Sequence, residues 1–153
     1  SGPWNNTDPS STVVTLGGGG FGTNVSSNAM IMYAFAEVEG FSKFGKYTGN
    51  GSANGPFIWC GFRPAFVLVK NISLSESWLL YDSERNTYNA ASKLLVPNLT
   101  NAEFTSGYDI DILSNGFKLR ASGAPNASGS NYIFMAFAEH PFGGSDVAPV
   151  PAR

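Results

Sequence analysis

Apolar residues along this chain come in short bursts punctuated by Gly, Asn, Ser and Pro, and almost nowhere at helical spacing. Bursts of that kind predict strands. They fall at Ser11–Leu16, Ala29–Val38, Lys43–Thr48, Phe57–Cys60, Ala65–Lys70, Trp78–Asp82, Tyr108–Leu113, Phe117–Arg120 and Asn131–Glu139. About nine strands without alternating helices predict an all-β fold, an antiparallel β-sandwich of jelly-roll or concanavalin-like type. One place offers a helical turn, Asn86 to Val96, through Ala90-Ala91-Ser92-Lys93-Leu94-Leu95. Pro97 would stop it, so at most one short helix is expected.

The run from Tyr108 to Arg120 alternates about Asn115-Gly116, apart from Leu113. Both residues tolerate the positive φ of a type I′ turn, so a two-residue hairpin loop is predicted there. That register sets Ile112 against Leu119 and Asp111 against Arg120. It turns Ile110, Ile112, Phe117 and Leu119 to the core, and Asp109, Asp111, Lys118 and Arg120 to solvent.

An internal repeat changes the picture of a single unit. Asn24–Glu37 aligns with Asn126–Glu139 at a constant offset of 102, with seven of fourteen positions identical, including Asn24/Asn126, Ser26/Ser128 and Glu37/Glu139. Both copies are apolar on both faces, the pattern of a strand covered on two sides, either as a central strand or at a subunit contact. A period of about 100 residues is that of a domain rather than a solenoid. The expected organisation is therefore the terminal strands of a preceding unit over 1–39, packed on the same globule. A complete unit over 40–142 and a tail over 143–153 follow. Ser1, not Met, opens the chain, which fits a processed product or the C-terminal piece of something longer.

Composition narrows the function classes. Hydrophobic residues make up 42% and charged residues only 13%, enough for a core and too apolar for disorder. A net charge of −2 without a basic cluster gives no electrostatic reason to bind nucleic acid or anionic lipid. The longest apolar run, Ala29–Ala36, is far too short to cross a bilayer as a helix. A lone cysteine, Cys60, excludes an intrachain disulfide and cysteine-based metal sites, and it reads as a small buried hydrophobe. His140 is alone too, so no metal and no cofactor is expected.

Two stretches carry a resemblance. Glu37-Val38-Glu39-Gly40-Phe41-Ser42-Lys43-Phe44-Gly45-Lys46-Tyr47-Thr48-Gly49-Asn50-Gly51, followed by Gly61-Phe62-Arg63-Pro64-Ala65-Phe66-Val67-Leu68-Val69-Lys70, resembles a repeated domain of tailed-phage virion proteins. Asp82–Asn86, the hairpin and Tyr132–Phe142 continue it in order. Domains of this kind occur in tail-fibre, tail-spike and capsid-attached proteins. The resemblance implies a concanavalin-type sandwich at the virion surface and brings no catalytic residues with it. It also implies a homo-oligomer, taken as a trimer, and contacts with other virion proteins. A host-surface glycan is the expected ligand class, with no nucleic acid or membrane partner.

Other constellations weigh less. Gly17-Gly18-Gly19-Gly20-Phe21-Gly22 spells a dinucleotide fingerprint, but no helix follows to hold a pyrophosphate, so it reads as a glycine-rich turn. Glu37 and Glu39, alternate residues of an expected strand, would stand about 7 Å apart on one face. That approaches the separation of a retaining glycosidase pair, making a sandwich-type glycoside hydrolase the alternative function. Asp109 and Asp111 fit a cross-strand ion pair better than a calcium site. Six Asn-x-Ser/Thr triplets, at Asn5, Asn24, Asn50, Asn71, Asn98 and Asn126, would mean glycosylation in a secreted lectin, a further alternative, and Asn-rich turns in a phage protein. Trp4, Trp59, Trp78, Tyr47, Tyr81, Tyr88 and Tyr108 are the candidates for stacking on sugar rings. The loops Gly49–Pro56 and Ser83–Asn89 are the expected contact surface, with Asn50, Asn54, Tyr81, Asp82, Arg85 and Tyr88 as the ligand-binding residues. The function expected is a non-enzymatic virion structural or adhesion domain.

Overall fold

A computed structural model describes residues 2–18 and 22–141. The expected tail over 143–153 and part of the glycine-rich turn lie outside them. The chain divides into two compact units, Ser1–Phe35 and Ala36–Arg153. That boundary falls four residues ahead of the one read from the repeat.

The first unit holds no strand or helix among its described residues. Backbone turns shape it: the Asn5 N–H donates to the Gly2 carbonyl at 3.0 Å and the Gly17 N–H to that of Pro3 at 2.7 Å. A Cβ on Gly17 would lie 2.2 Å from the Gly2 oxygen, so only glycine fits there. The strands expected at Ser11–Leu16 and Ala29–Val38 do not form. Apolar patterning does not make a strand without a neighbouring backbone to take its hydrogen bonds. From Ala29 to Ala34 no backbone hydrogen bond is made among the described residues.

The second unit is all-β, with seven strands rather than nine: β1 Ser42–Thr48, β2 Phe57–Trp59, β3 Pro64–Asn71, β4 Trp78–Asp82, β5 Ile110–Leu113, β6 Gly116–Leu119 and β7 Asn131–Ala138. They build two antiparallel sheets, one of order β1-β7-β3-β4 and one of order β2-β6-β5. Strand β7, apolar on both faces, lies at a central position between β1 and β3, one of the two placements its pattern allows, while its outer face stays partly open, with Ile133 exposed. One hydrophobic cluster joins the sheets, drawing Val67, Val69, Tyr81 and Tyr132 from the first and Ile58, Ile110, Phe117 and Leu119 from the second. Phe117 crosses between them, edge-on to Phe134 with ring centroids 5.4 Å apart. Tyr47 stacks on Tyr132 at 5.0 Å, and such aromatic contacts add about 0.5–1.5 kcal/mol each beyond burial.

Asn86–Val96 is not a helical turn. Leu80 and Leu95 exchange N–H···O bonds at 2.9 and 3.0 Å, Ala91 and Ile110 at 2.7 and 3.1 Å, and Leu94 and Phe104 at 3.0 Å. With Ala91, Leu94 and Val96 all buried, this backbone is spent laterally on its neighbours. It covers the outer edges of β4 and β5. The Asn89 carboxamide extends that cover, donating to the Ile112 carbonyl at 2.9 Å and accepting from its N–H at 2.8 Å.

The hairpin forms with the turn one residue earlier, at Ser114-Asn115, pairing Ile112 with Phe117 and Asp111 with Lys118. Register moves by two and therefore keeps every side chain on its face. The four predicted core residues are all buried. Asp111 still reaches Arg120, now diagonally at 2.5 Å, and is itself only 8% exposed instead of open to solvent.

Candidate functional site

Cys60 lies in the core, where loss of water around the thiolate pushes its pKa up to about 12. At pH 8 it should therefore resist iodoacetamide in the native protein and react only on unfolding, which mass spectrometry of alkylated samples checks. His140 is exposed. Among the described residues, no three His, Cys, Asp or Glu side chains gather as a metal site, and no helix is long and apolar enough to cross a membrane.

The expected strand carrying Glu37 and Glu39 is replaced by a turn through Glu39-Gly40-Phe41, closed by a bridge between Val38 and Ser42. Gly40 has φ of 71°, which favours glycine. The two carboxylates thus do not share a strand face. Glu37 pairs with the Lys43 ammonium at 2.5 Å, and that bond holds its pKa below the ordinary value of 4.5. Its repeat counterpart Glu139 pairs with Arg63 at 2.5 Å. A lowered carboxylate pKa stabilises the fold above the unfolded-state pKa, and the gain is lost as pH falls through the lowered value. Glu37→Gln should therefore be destabilising at neutral pH, and the gap should close on acidification below 4.5 in pH-dependent denaturation curves. With Glu37 47% exposed, the effect stays within the ~0–1 kcal/mol of surface pairs.

The Gly49–Pro56 loop is built around Asn126, which is fully buried. The Asn126 Oδ1 accepts the Asn50 N–H at 2.9 Å. Its Nδ2 donates to Asn50 Oδ1, the Ser52 carbonyl and the Ala121 carbonyl at 2.9, 2.8 and 2.9 Å. The Asn50 Nδ2 in turn donates to the Asn54 carbonyl at 3.1 Å. Asn50 is thus occupied in shaping its own loop, while Asn54 stays exposed.

At the second expected loop, Arg85 lies 2.6 Å from Asp82 and 2.7 Å from Glu103. Asp82 Oδ1 also accepts the N–H groups of Glu84 and Arg85 at 3.1 and 2.7 Å. Both side chains are committed to the turn. Tyr88 is 85% exposed, whereas Tyr81 is in the core and no surface for a ligand to stack on. The Tyr81 hydroxyl donates to the Tyr108 carbonyl at 2.7 Å, and burial raises its pKa. No hydrogen bond or ion pair joins the Asn50–Asn54 loop to Asp82–Tyr88 among the described residues.

The structure places a pocket elsewhere, of about 260 Å³, lined by Glu76, Ser77, Leu79, Val96, Phe104 and Tyr108 among others. It combines two aromatic rings, edge-on at 5.8 Å, with a carboxylate and a hydroxyl on an aliphatic floor. Glu76 is positioned by the Asn71 carboxamide at 2.8 Å, and the Lys70 ammonium holds its carbonyl at 2.7 Å. Of the predicted stacking residues, Tyr108 lines this pocket and Trp78 a shallower groove with Leu68, Pro97 and Asn98. Trp4 and Trp59 are exposed, and Tyr47 and Tyr81 pack on the core. Glu76 and Phe104 escaped the sequence reading because each stands alone in a Ser- or Asn-rich connection without a motif.

Two antiparallel sheets over a shared core, with loops held by side-chain amides and a small polar-aromatic pocket, define an all-β domain. The chain belongs to the family described as Domain of unknown function (DUF7483), which matches residues 1–141. No curated protein and no solved structure matches it.

Proposed function

We propose that this chain is a non-enzymatic structural and adhesion domain of a bacteriophage virion, displayed on the particle surface as a capsid decoration or a tail-fibre or tail-spike domain. On this reading it is an antiparallel β-sandwich of jelly-roll or concanavalin-like type, assembled as a homo-oligomer, taken as a trimer. The resemblance of Glu37–Gly51 and Gly61–Lys70 to repeated virion domains supports the location. The pocket between Tyr108, Phe104 and Glu76 carries the adhesion role: an aromatic ring beside a carboxylate suits the apolar face and hydroxyls of one sugar residue. The commitment of Glu37, Asp82, Glu103, Asp111 and Glu139 to basic partners supports a binding rather than a hydrolytic use of the surface.

The test has two readouts. Antibody against the purified chain should label intact particles of the phage encoding it, and the chain should bind a subset of a bacterial glycan array. Tyr108→Ala and Glu76→Gln should each weaken array binding by roughly tenfold or more. Unlabelled particles would overturn the location, and glycan binding that ignores both substitutions would overturn the site. Release of reducing ends from a bound polysaccharide, abolished by the Glu37→Gln/Glu39→Gln double variant, would replace the reading with a glycosidase.

A further inference from the structure

Two features of the structure are without backbone partners among the described residues, and they are complementary. The first is the stretch Met30–Ala34, which holds Ile31 and Tyr33 at 82% and 80% exposure and makes no backbone hydrogen bond among the described residues. Its sequence repeats that of β7, a central strand hydrogen-bonded on both sides. Such a segment has the side chains of a doubly covered strand and neither cover nor ladder. A chain this apolar, with unpaired amides, is a template for strand addition.

The second is the outer edge of β1. The Ala138 N–H donates to the Phe41 carbonyl at 2.8 Å and the Gly49 N–H to that of Ser130 at 2.9 Å. Odd-numbered residues of β1 therefore direct their backbone groups to β7, and even-numbered ones direct theirs away. Val38 takes the outward Ser42 N–H at 2.9 Å. Beyond that point, the outward N–H and C=O groups of Lys46 and Thr48 have no partner among the described residues. The other edge of this sheet, at β4, is covered by Leu95, and β5 by Ala91 and Asn89.

We infer that Met30–Ala34 of one copy adds as a strand to the Lys46–Thr48 edge of β1 in a second copy of this chain. This rests on the proposed homo-oligomer and names its contact. The occupant is a second copy because one chain carries both halves, a strand without an edge and an edge without a strand among the described residues. An interface between two different patches is heterologous, so repetition closes a ring or extends a filament, whereas two identical patches would stop at a dimer. The added strand sets Ile31 and Tyr33 on one face of the sheet and Met30, Met32 and Ala34 on the other, following the alternation of a strand. Outward from β1, the four-stranded sheet then continues in the apolar sequence that its centre already uses in β7.

Complementation between two disabled chains tests this. Lys46→Pro removes the outward N–H and blocks the edge while leaving the inward ladder to β7 intact; Thr48→Pro serves if the first fails to fold by circular dichroism. Ile31→Asp/Tyr33→Asp disables the strand at two exposed positions. By sedimentation velocity, the unaltered chain should associate beyond a dimer, and each variant should be monomeric at concentrations roughly a hundredfold above the native midpoint. An equimolar mixture of the two should form a 1:1 dimer and go no further, since one intact strand meets one intact edge. A monomeric unaltered chain would overturn both this contact and the oligomer. Association unmoved by either variant would overturn the contact alone. A monomer whose Met30–Ala34 amides lose exchange protection in Lys46→Pro would show that the strand closes on its own chain, and would overturn the exchange between copies.

Discussion

Asn126→Ala is expected to destabilise the protein by about 3 kcal/mol, while Asn24→Ala, at the matching position of the repeat, should change stability by less than about 0.5 kcal/mol. The two residues occupy identical places in a fourteen-residue repeat. Asn126 is fully buried and its carboxamide holds four bonds, to Asn50 and Ser52 of the Gly49–Pro56 loop and to Ala121. Truncation leaves the Asn50 N–H and the Ser52 and Ala121 carbonyls short of a partner, each a group whose desolvation is no longer offset. It also opens space beneath Gly49 and Gly55, where the loop approaches so closely that an added Cβ on Gly55 would meet Asn126 Nδ2 at 2.9 Å. Asn24 is exposed and holds no comparable set of bonds. Urea denaturation of both variants measures the difference directly. Equal losses would mean that the two copies of the repeat are built into equivalent surroundings.

That contrast shows where the sequence could be read and where it could not. The seven strands of the second unit stand within two residues of where alternation puts them, because each finds a partner whose apolar face matches its own. Ala29–Val38 has the stronger apolar pattern and forms no strand, since periodicity reports what a segment would bury and not whether a neighbour exists. Asn86–Val96 shows the reverse case. Its alanines and leucines suit a helix, yet lateral bonds from Leu80, Phe104 and Ile110 claim the backbone, and tertiary pairing overrides a weak local preference. The candidate site suffered most. Tyr81 and Asp82 are strand neighbours on opposite faces, so a reading that took the loop as a unit placed a core tyrosine beside a surface acid. Glu76, from the connection between β3 and β4, meets Phe104 and Tyr108, from that between β4 and β5, only through packing. No local spacing records that convergence.

Gly116→Ala is expected to cost about 2–4 kcal/mol, and to expose Cys60 to alkylation in the native state. The sequence recommends Gly116 as the second residue of a type I′ turn, where a positive φ would be the reason for glycine. In the structure the turn lies at Ser114-Asn115, and neither those residues nor Gly116 has positive φ. The reason is distance. Gly116 pairs with Trp59 across β6 and β2, and a Cβ there would stand 2.0 Å from the Ile58 carbonyl oxygen and 3.0 Å from its carbon. Backbone atoms cannot rotate aside as a side chain can, so β2 must move. That strand has only three residues, and the chain just after it is held by the Asn115 carbonyl, which accepts the N–H groups of Cys60 and Gly61 at 2.9 and 3.1 Å. Shifting β2 therefore loosens those bonds and lifts Ile58 and Cys60 from the core together. Alkylation rate and denaturation midpoint should change in step, the thiol acting as a local reporter of β2. A midpoint that falls while Cys60 stays protected would place the strain elsewhere in the hairpin. An unchanged midpoint would mean that β2 yields at no cost, and with it the claim that close approach rather than turn conformation demands this glycine would fail.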